Sequence, residues 1–308
     1  MLSTRIFLNA NYLKLRNFQK LFLYFVVSLL IASSKVYSDD SIQWVGCGIT
    51  KNAFTKTLAT AFKEKTSTPV FVRGGGALKG IRDAASGRAD IGGTCRLALD
   101  FPEEKNAQLH HVAWDALVLM VPKQNPINNL SSKEVHGIIN GNIKNWKQLG
   151  GNDQAIEFYS RRGALSGVGH MFRVMFFKQP GIQYQNAIDV PRSSGLVEML
   201  VGKGEGTIGI SGASSAQKRI GIKMLSLDGI YPSKENIQNG TYYLIRPLYY
   251  ATNLNPNQKT QQFIDFALSH EGQTIISQQN VVNLEEGKQL LKLFKDRFGE
   301  EHLAPALQ

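Results

Sequence analysis

The chain is poor in cysteine, because its 308 residues include only Cys47 and Cys95. No histidine or further cysteine lies at metal-ligand spacing from either one, which argues against a zinc centre. Low-complexity tracts and internal repeats are also absent, so a repeat architecture is not expected.

A basic stripe interleaved with aromatic residues, the usual footprint of nucleic-acid binding, is missing too. The lysines are spread along the chain, although the net charge is +11. Five positive and no negative residues fall within positions 1–38, so subtraction leaves about +6 for the remainder. This surplus favours attraction of small anions, and we expect no nucleic-acid partner.

Long apolar runs are scarce, and the most apolar one, at residues 21–32, is short for a membrane span of about 20 residues. It follows a positive segment and precedes Val36-Tyr37-Ser38, whose residues a signal peptidase accepts. This pattern predicts a signal peptide over residues 1–38, cleaved near Ser38, and a periplasmic or secreted protein. The alternative is an uncleaved membrane anchor.

Catalytic patterns are lacking as well. Ser166 precedes a predicted helix, as a hydrolase nucleophile does, but Ala164 and Val168 occupy the glycine positions of Gly-x-Ser-x-Gly. His170 would share a helix face with Ser166, and no acid is placed to orient its ring. We therefore expect no enzyme activity and no cofactor.

What the chain does have is alternation of strands and helices. The first half predicts strands at 41–46, 68–72 and 89–92, with helices at 51–64 and 77–86 between them. Further strands are predicted at 116–122, 156–160, 207–210 and 242–250, and further helices from 131, at 171–177, 193–201, 261–269 and 273–278. This order favours an open α/β sheet with mainly parallel strands.

Three glycine and hydroxyl segments fall at strand ends, where helices begin. They are residues 46–50, 74–77 and 162–167. A helix start offers unpaired N–H groups and the positive end of the helix dipole, and ligands of open α/β sheets bind at such ends. The three segments together predict a cradle for a small oxyanion.

The chain is predicted to leave a first lobe near residue 122 and to return near residue 247. Residues 39–122 plus 248–308 would form lobe one, and residues 123–247 would form lobe two. Two crossing segments would make a hinge, with the ligand enclosed between the lobes.

The two cysteines lie at the ends of predicted strands beside the cradle. In an exported protein such a pair permits one disulfide, so we expect Cys47 and Cys95 to be bridged if their strands are neighbours. Two buried free thiols are the alternative.

Seven segments, in order, resemble the periplasmic phosphate-binding proteins of the type II solute-binding superfamily. They are residues 46–50, 74–81, 89–96, 144–151, 162–167, 246–249 and 269–273. The resemblance implies a two-lobed α/β fold of the type II periplasmic-binding-protein class, each lobe a mainly parallel sheet flanked by helices.

The resemblance also implies a function. The protein would be a monomer that captures phosphate or a similar tetrahedral oxyanion for an inner-membrane ABC permease. A sensing or assembly module with another ligand is the alternative.

By resemblance, the anion would be held by backbone or hydroxyl donors and by one arginine. The implied ligand residues are Ile49, Thr50, Gly76, Ala77, Thr94, Cys95, Arg162, Ser166, Gly167 and Val168. Arg162 would make the charge-assisted contact, and its neighbour Arg161 could be a surface residue.

This chain departs from the family at two of these residues and at one beside them. Cys95 stands where an aspartate or serine is usual, which puts selectivity for phosphate over sulfate in doubt. Val168 replaces a threonine, and Ala164 replaces an acidic residue. Arg96 could add charge to the site or point to solvent.

Overall fold

The fold is described here from a computed structural model that covers residues 40–161, 163, 165–191 and 193–303. The predicted signal peptide lies outside this range. Within the described part, no helix combines the length and the apolar character needed to cross a membrane.

One long strand, β4 (Gln108–Pro122), passes through both halves of the molecule. Up to Ala116 it pairs antiparallel with β11 (Ile245–Thr252), and from Leu117 onward it pairs with β8 (Thr207–Gly212). The change of partner within a single strand joins two lobes through continuous backbone hydrogen bonding.

Each lobe contains a parallel set of strands. Besides β4, β8 and β11, the strands are β1 (Ile42–Gly46), β2 (Val70–Gly74), β3 (Ile91–Thr94), β5 (Asn129–Leu130), β6 (Glu157–Arg161), β7 (Ala187–Val190), β9 (Ile222–Met224) and β10 (Ser226–Leu227). Lobe one has the order β2-β1-β3, with β11 and then β4 added antiparallel, and lobe two has β8-β6-β7, with β9 on β4. A small pair, β5 with β10, lies apart.

The helices flank these strands. They are α1 (Gly48–Thr50), α2 (Lys56–Thr66), α3 (Ala77–Ala85), α4 (Ser132–Ile139), α5 (Gly167–Phe177), α6 (Ser194–Lys203), α7 (Ala213–Ala216), α8 (Lys234–Gln238), α9 (Gln258–Leu268), α10 (His270–Gln278) and α11 (Leu290–Phe298). The expected α/β class is confirmed, with two lobes and two crossing strands.

Local sequence explains where several helices begin. Helix α4 begins at a capping box, in which the Ser131 hydroxyl accepts from the Glu134 amide while Glu134 accepts from the Ser131 amide. Helix α5 begins earlier than the apolar pattern predicts, because Ser166 caps it by accepting from the Gly169 N–H at 3.1 Å.

The first predicted helix is not a regular α-helix throughout. Residues Lys51–Thr55 form a π-helical turn between α1 and α2. Such turns are rare and often occur at functional sites. The turn follows immediately on the first predicted cradle segment.

The crossing strands hold a buried ion pair. Arg246 of β11 donates through Nη2 to Asp115 of β4 at 2.8 Å, and both side chains are fully buried. The other Asp115 oxygen accepts from the Ser214 amide at 2.9 Å. The pair therefore ties both crossing strands to the start of α7.

Replacing Asp115 by asparagine should lower the free energy of unfolding by about 3 kcal/mol or more, because Arg246 would remain buried without its counter-charge. Urea denaturation of both forms measures the difference. Glu285→Gln, which breaks an ion pair exposed on both sides, is the matched control and should cost about 0.5 kcal/mol or less. Equal small effects of the two changes would show that the pair does not stabilise the crossing.

Candidate functional site

Helix starts from both lobes meet where the sequence predicts the cradle. The start of α5, at Gly167, lies against Cys95 and Ala77 of lobe one. A methyl group built on Gly167 would collide with the Cys95 Sγ and lie 2.9 Å from the Ala77 Cβ. The segments around residues 77, 95 and 167 therefore converge, although they are far apart in sequence.

The two cysteines lie at the centre of this convergence. Both are buried, and their sulfurs are 3.1 Å apart in a hydrogen bond. The predicted disulfide is wrong for this structure, in which both residues are free cysteines. The separation is longer than the S–S bond of about 2.05 Å, so a thiol hydrogen bond takes its place.

The two thiols have opposite pKa shifts. The hydrogen bond from Cys47 lowers the pKa of Cys95 to about 7, burial opposes this shift, and the charge of Arg246 assists it. The same hydrogen bond, with burial and the charge of Cys95, raises the pKa of Cys47 well above its usual value. The pair therefore holds one thiol and one thiolate above about pH 7.

Arg246 is a buried cation whose charge acts on both cysteines, and the sequence did not point to it as a site residue. Its Nε and Nη2 both contact Asp115, but its buried Nη1 has no hydrogen-bond partner. A methyl group built on Gly212 would lie 2.7 Å from Arg246 Nη2 and 2.7 Å from Ile49 Cγ2. The guanidinium therefore lies beside the first cradle segment.

Arg161 corrects a second expectation, because it is not a surface residue. Its side chain is buried, and its Nη1 donates to the Val190 carbonyl at 2.6 Å. Burial lowers the pKa of Arg161, while the charges of the two cysteines raise it. Arg162, the predicted ligand, lies outside the described residues, as does Ala164.

Arg96 does not point to solvent. It is fully buried and forms two hydrogen bonds with Glu104, at 2.8 and 3.0 Å. Its Nε donates to the Leu165 carbonyl at 2.8 Å. Arg96 of lobe one therefore holds the loop of lobe two that leads into α5.

The predicted hydroxyl donors are occupied within the protein. Thr50 donates to the Cys47 carbonyl at 3.1 Å, and Thr94 donates to the Arg96 carbonyl at 2.9 Å. Ser166 caps α5, and its hydroxyl lies 3.4 Å from the Gly163 carbonyl. In this arrangement a ligand would be held mainly by backbone N–H groups and arginine.

The other predicted ligand residues lie at or next to the helix starts. Gly76 precedes α3 with a φ of 85°, a backbone conformation suited to glycine. Its N–H donates to the Gly46 carbonyl at 3.0 Å. Val168 is buried in the first turn of α5. Ile49 is buried in α1.

A further cation, Lys51, lies near the second glycine segment. A methyl group built on Gly74 would be 3.3 Å from the Lys51 Nζ. Burial and the charges of Lys56 and Arg219 lower the pKa of Lys51. Across the described residues, no group of three or more histidine, cysteine or acidic side chains is arranged to hold a metal ion.

The sequence held a usable signal for the buried pair. Asp115 and Arg246 each interrupt an otherwise apolar strand, and a charge inside a buried strand needs a partner of opposite sign. Pairing these two residues would have placed the crossing strands side by side. Arg161 offered no comparable signal, because it lies at a strand end beside a second arginine.

Comparison with known proteins assigns the class. A model of the PBP superfamily domain matches residues 38–271, more than half of the chain, and the chain belongs to that superfamily. The fold and the relatives are those of non-enzymatic, two-lobed solute-binding proteins.

The relatives found are more specific than the superfamily. The phosphate-binding protein PstS of Borreliella burgdorferi is 32% identical over 59% of this chain and 67% of its own length. The Bacillus subtilis protein of that name is 25% identical over 78% of each chain.

One solved structure agrees with this assignment. It is a candidate phosphate ABC transporter substrate-binding protein of Clostridium perfringens, with bound phosphate. It has a TM-score of 0.70 and 27% identity, and the match covers 79% of this chain and 99% of that one.

Adding one methyl group at the contact between the lobes should disturb it. Gly167→Ala should lower the free energy of unfolding by about 1–3 kcal/mol, because the new methyl overlaps Cys95 and crowds Ala77. Urea denaturation measures the change. Gly181→Ala is the control, since nothing lies within 4 Å of its added methyl. If the two variants are equally stable, α5 does not start against Cys95.

The thiol pair should titrate near neutrality. Thiolate absorbance of the native protein should rise with a midpoint near pH 7, and Cys47→Ala should move the midpoint upward by removing the donor. An unfolded thiol keeps its proton up to about pH 8.5, so the unfolded chain binds more protons in this window. Stability should therefore rise between about pH 7 and 8.5. An unchanged midpoint in Cys47→Ala, or no titration below pH 8, would contradict the hydrogen bond.

Proposed function

We propose that this protein is an exported receptor that encloses phosphate or a similar tetrahedral oxyanion between its two lobes. It passes the anion to an ABC permease of the inner membrane and acts as a monomer. Export rests on the predicted signal peptide and its cleavage near Ser38.

The observation that carries this proposal is the partly satisfied, fully buried Arg246. An arginine nitrogen without an acceptor is costly inside a protein, because desolvation of a charged donor is not repaid. This one lies beside helix starts, and helix starts also favour an anion. An oxyanion between the lobes would supply an acceptor for both kinds of donor.

The relatives support the choice of anion. Two curated relatives are phosphate-binding proteins, and one solved relative holds phosphate. The positive balance of the chain beyond the signal peptide also favours an anionic ligand.

The anion contacts follow from the convergence of the helix starts. Backbone N–H groups at Ile49, Ala77, Gly167 and Val168 would supply donors, because the nearby hydroxyls are occupied. Arg162 would complete the cradle with a charge-assisted contact. Cys95 would face the anion in place of the usual acidic residue or serine.

Closure of the lobes would be held by Arg96. Its bond to the Leu165 carbonyl crosses from one lobe to the other, one residue before the Ser166 cap of α5. Burial alone would raise the pKa of Glu104, but the hydrogen bonds and charge of Arg96 hold that pKa below its usual value. The pair therefore stays charged and keeps Arg96 oriented toward lobe two.

Isothermal titration of the purified protein, stripped of bound ligand, should show binding of phosphate, with sulfate, molybdate and arsenate as competitors. Arg162→Ala should weaken binding by about 2 kcal/mol or more, as the loss of a desolvated charge-assisted contact requires. The same titration of the variant measures the loss.

Arg88→Ala is the matched control for this change, since Arg88 is largely exposed and pairs with Asp83. It should leave phosphate affinity within about twofold. Absence of heat with every anion would reject the receptor and favour a sensing or assembly module with another ligand. Equal affinities of Arg162→Ala and the wild type would remove Arg162 from the site.

A further inference from the structure

A pocket lies at the boundary between the lobes, lined by residues close to the first cradle segment. Its volume is about 240 Å³. Lobe one contributes Asn52 and Lys56 to its wall, and lobe two contributes Glu198, Ser215, Lys218 and Arg219. A ligand group placed here would touch both lobes.

The wall of this pocket carries excess positive charge. Its one carboxylate, Glu198, is buried and already bonded to the Ser211 hydroxyl at 2.6 Å and to Arg219 at 3.2 Å. Lys56 forms no ion pair among the described residues. The pKa of Lys51 is lowered by burial and then by Lys56 and Arg219, so these cations repel one another. The wall thus holds three cations, Lys56, Lys218 and Arg219, against one carboxylate, and this excess of positive charge favours an anion.

Two groups near these cations have hydrogen-bonding capacity that the protein does not use. The Ser215 hydroxyl is buried and has no hydrogen-bond partner. Ser193, at the N-cap of the ten-residue helix α6, makes no side-chain bond to the first turn. The pocket therefore combines cations with a buried hydroxyl that has no partner, and the start of α6 lies close to its wall.

The start of α6 also connects the pocket to the cradle. A methyl group built on Gly48, in the first cradle segment, would lie 3.4 Å from the Gly195 amide nitrogen. A methyl group built on Gly195 would lie 3.6 Å from Arg219 Nη2 and 3.7 Å from Asn52 Nδ2. Gly195 of α6 is therefore close both to the first cradle segment and to Arg219 and Asn52 of the pocket.

We propose that this pocket is a second anion subsite, and that the protein binds phosphate compounds carrying a second anionic group, with condensed phosphates as the simplest class. This inference rests on the proposed function, since the first phosphoryl group would occupy the cradle. The second group would bind the cations and the Ser215 hydroxyl across the lobe boundary.

Titration calorimetry with orthophosphate, pyrophosphate and tripolyphosphate tests the inference. The measured quantity is the ratio of the affinity for each condensed phosphate to the affinity for orthophosphate. Lys56→Gln should lower this ratio roughly three- to fivefold, as expected for one partly exposed charge. Ser215→Ala should lower it roughly fivefold through loss of a buried donor, without any change of charge.

Lys63→Gln is the matched control, because Lys63 is an exposed lysine on the same helix that does not line this pocket. It should leave the ratio within twofold of the wild-type value. If Lys63→Gln and Lys56→Gln lower the ratio equally, the effect is general charge attraction and the inference is overturned.

The titrations distinguish failure of the second subsite from failure of the proposed receptor function. Wild-type protein that binds orthophosphate but no condensed phosphate would overturn the second subsite and leave the receptor function intact. Wild-type protein that binds none of the three would reject both. Tight binding of pyrophosphate, lost selectively in Lys56→Gln and Ser215→Ala, is the result expected.

Discussion

The arrangement depends on a buried arginine whose hydrogen-bond donors are only partly matched by the protein. Arg246 lies on a crossing strand, pairs with Asp115 on the other crossing strand, and retains one nitrogen without an acceptor. Burying a guanidinium is tolerated when a carboxylate accompanies it. The remaining donor gives the interior a preference for a further anion, and it lies where both lobes meet.

The geometry around this arginine follows from chain connectivity. A single strand, β4, pairs with β11 up to Ala116 and with β8 from Leu117 onward. Backbone hydrogen bonding therefore continues from one lobe into the other along this strand. Helix starts from the two lobes then face each other over Cys95 and Gly167. Small residues are required at this contact because the helices approach closely.

The thiol pair gives this site a chemistry of its own. A carboxylate in the place of Cys95 would be charged at every physiological pH, whereas the hydrogen-bonded thiol changes charge near pH 7. The anion site would therefore be more positive below neutrality than above it. Arg96 and Arg161, both buried, lie within the same charged neighbourhood.

Much of the fold was predictable because the helix and strand periods alternate clearly in the first half of the chain. The helix starts near residues 48, 77 and 167 were predictable from glycine and hydroxyl residues at strand ends. The hydrogen-bond partners of the side chains were not predictable, because a sequence does not show that Thr50 and Thr94 donate to backbone carbonyls. The cysteine pair shows the same limit: proximity was foreseen from the strand ends, but the bonding state depends on sulfur geometry.

The most direct test is a crystal structure of the protein grown with phosphate. We expect a tetrahedral anion between the lobes, accepting from backbone N–H groups at the starts of α1 and α5 and from an arginine. An anion bound only on an outer surface, with Gly167 still packed against Cys95, would contradict it.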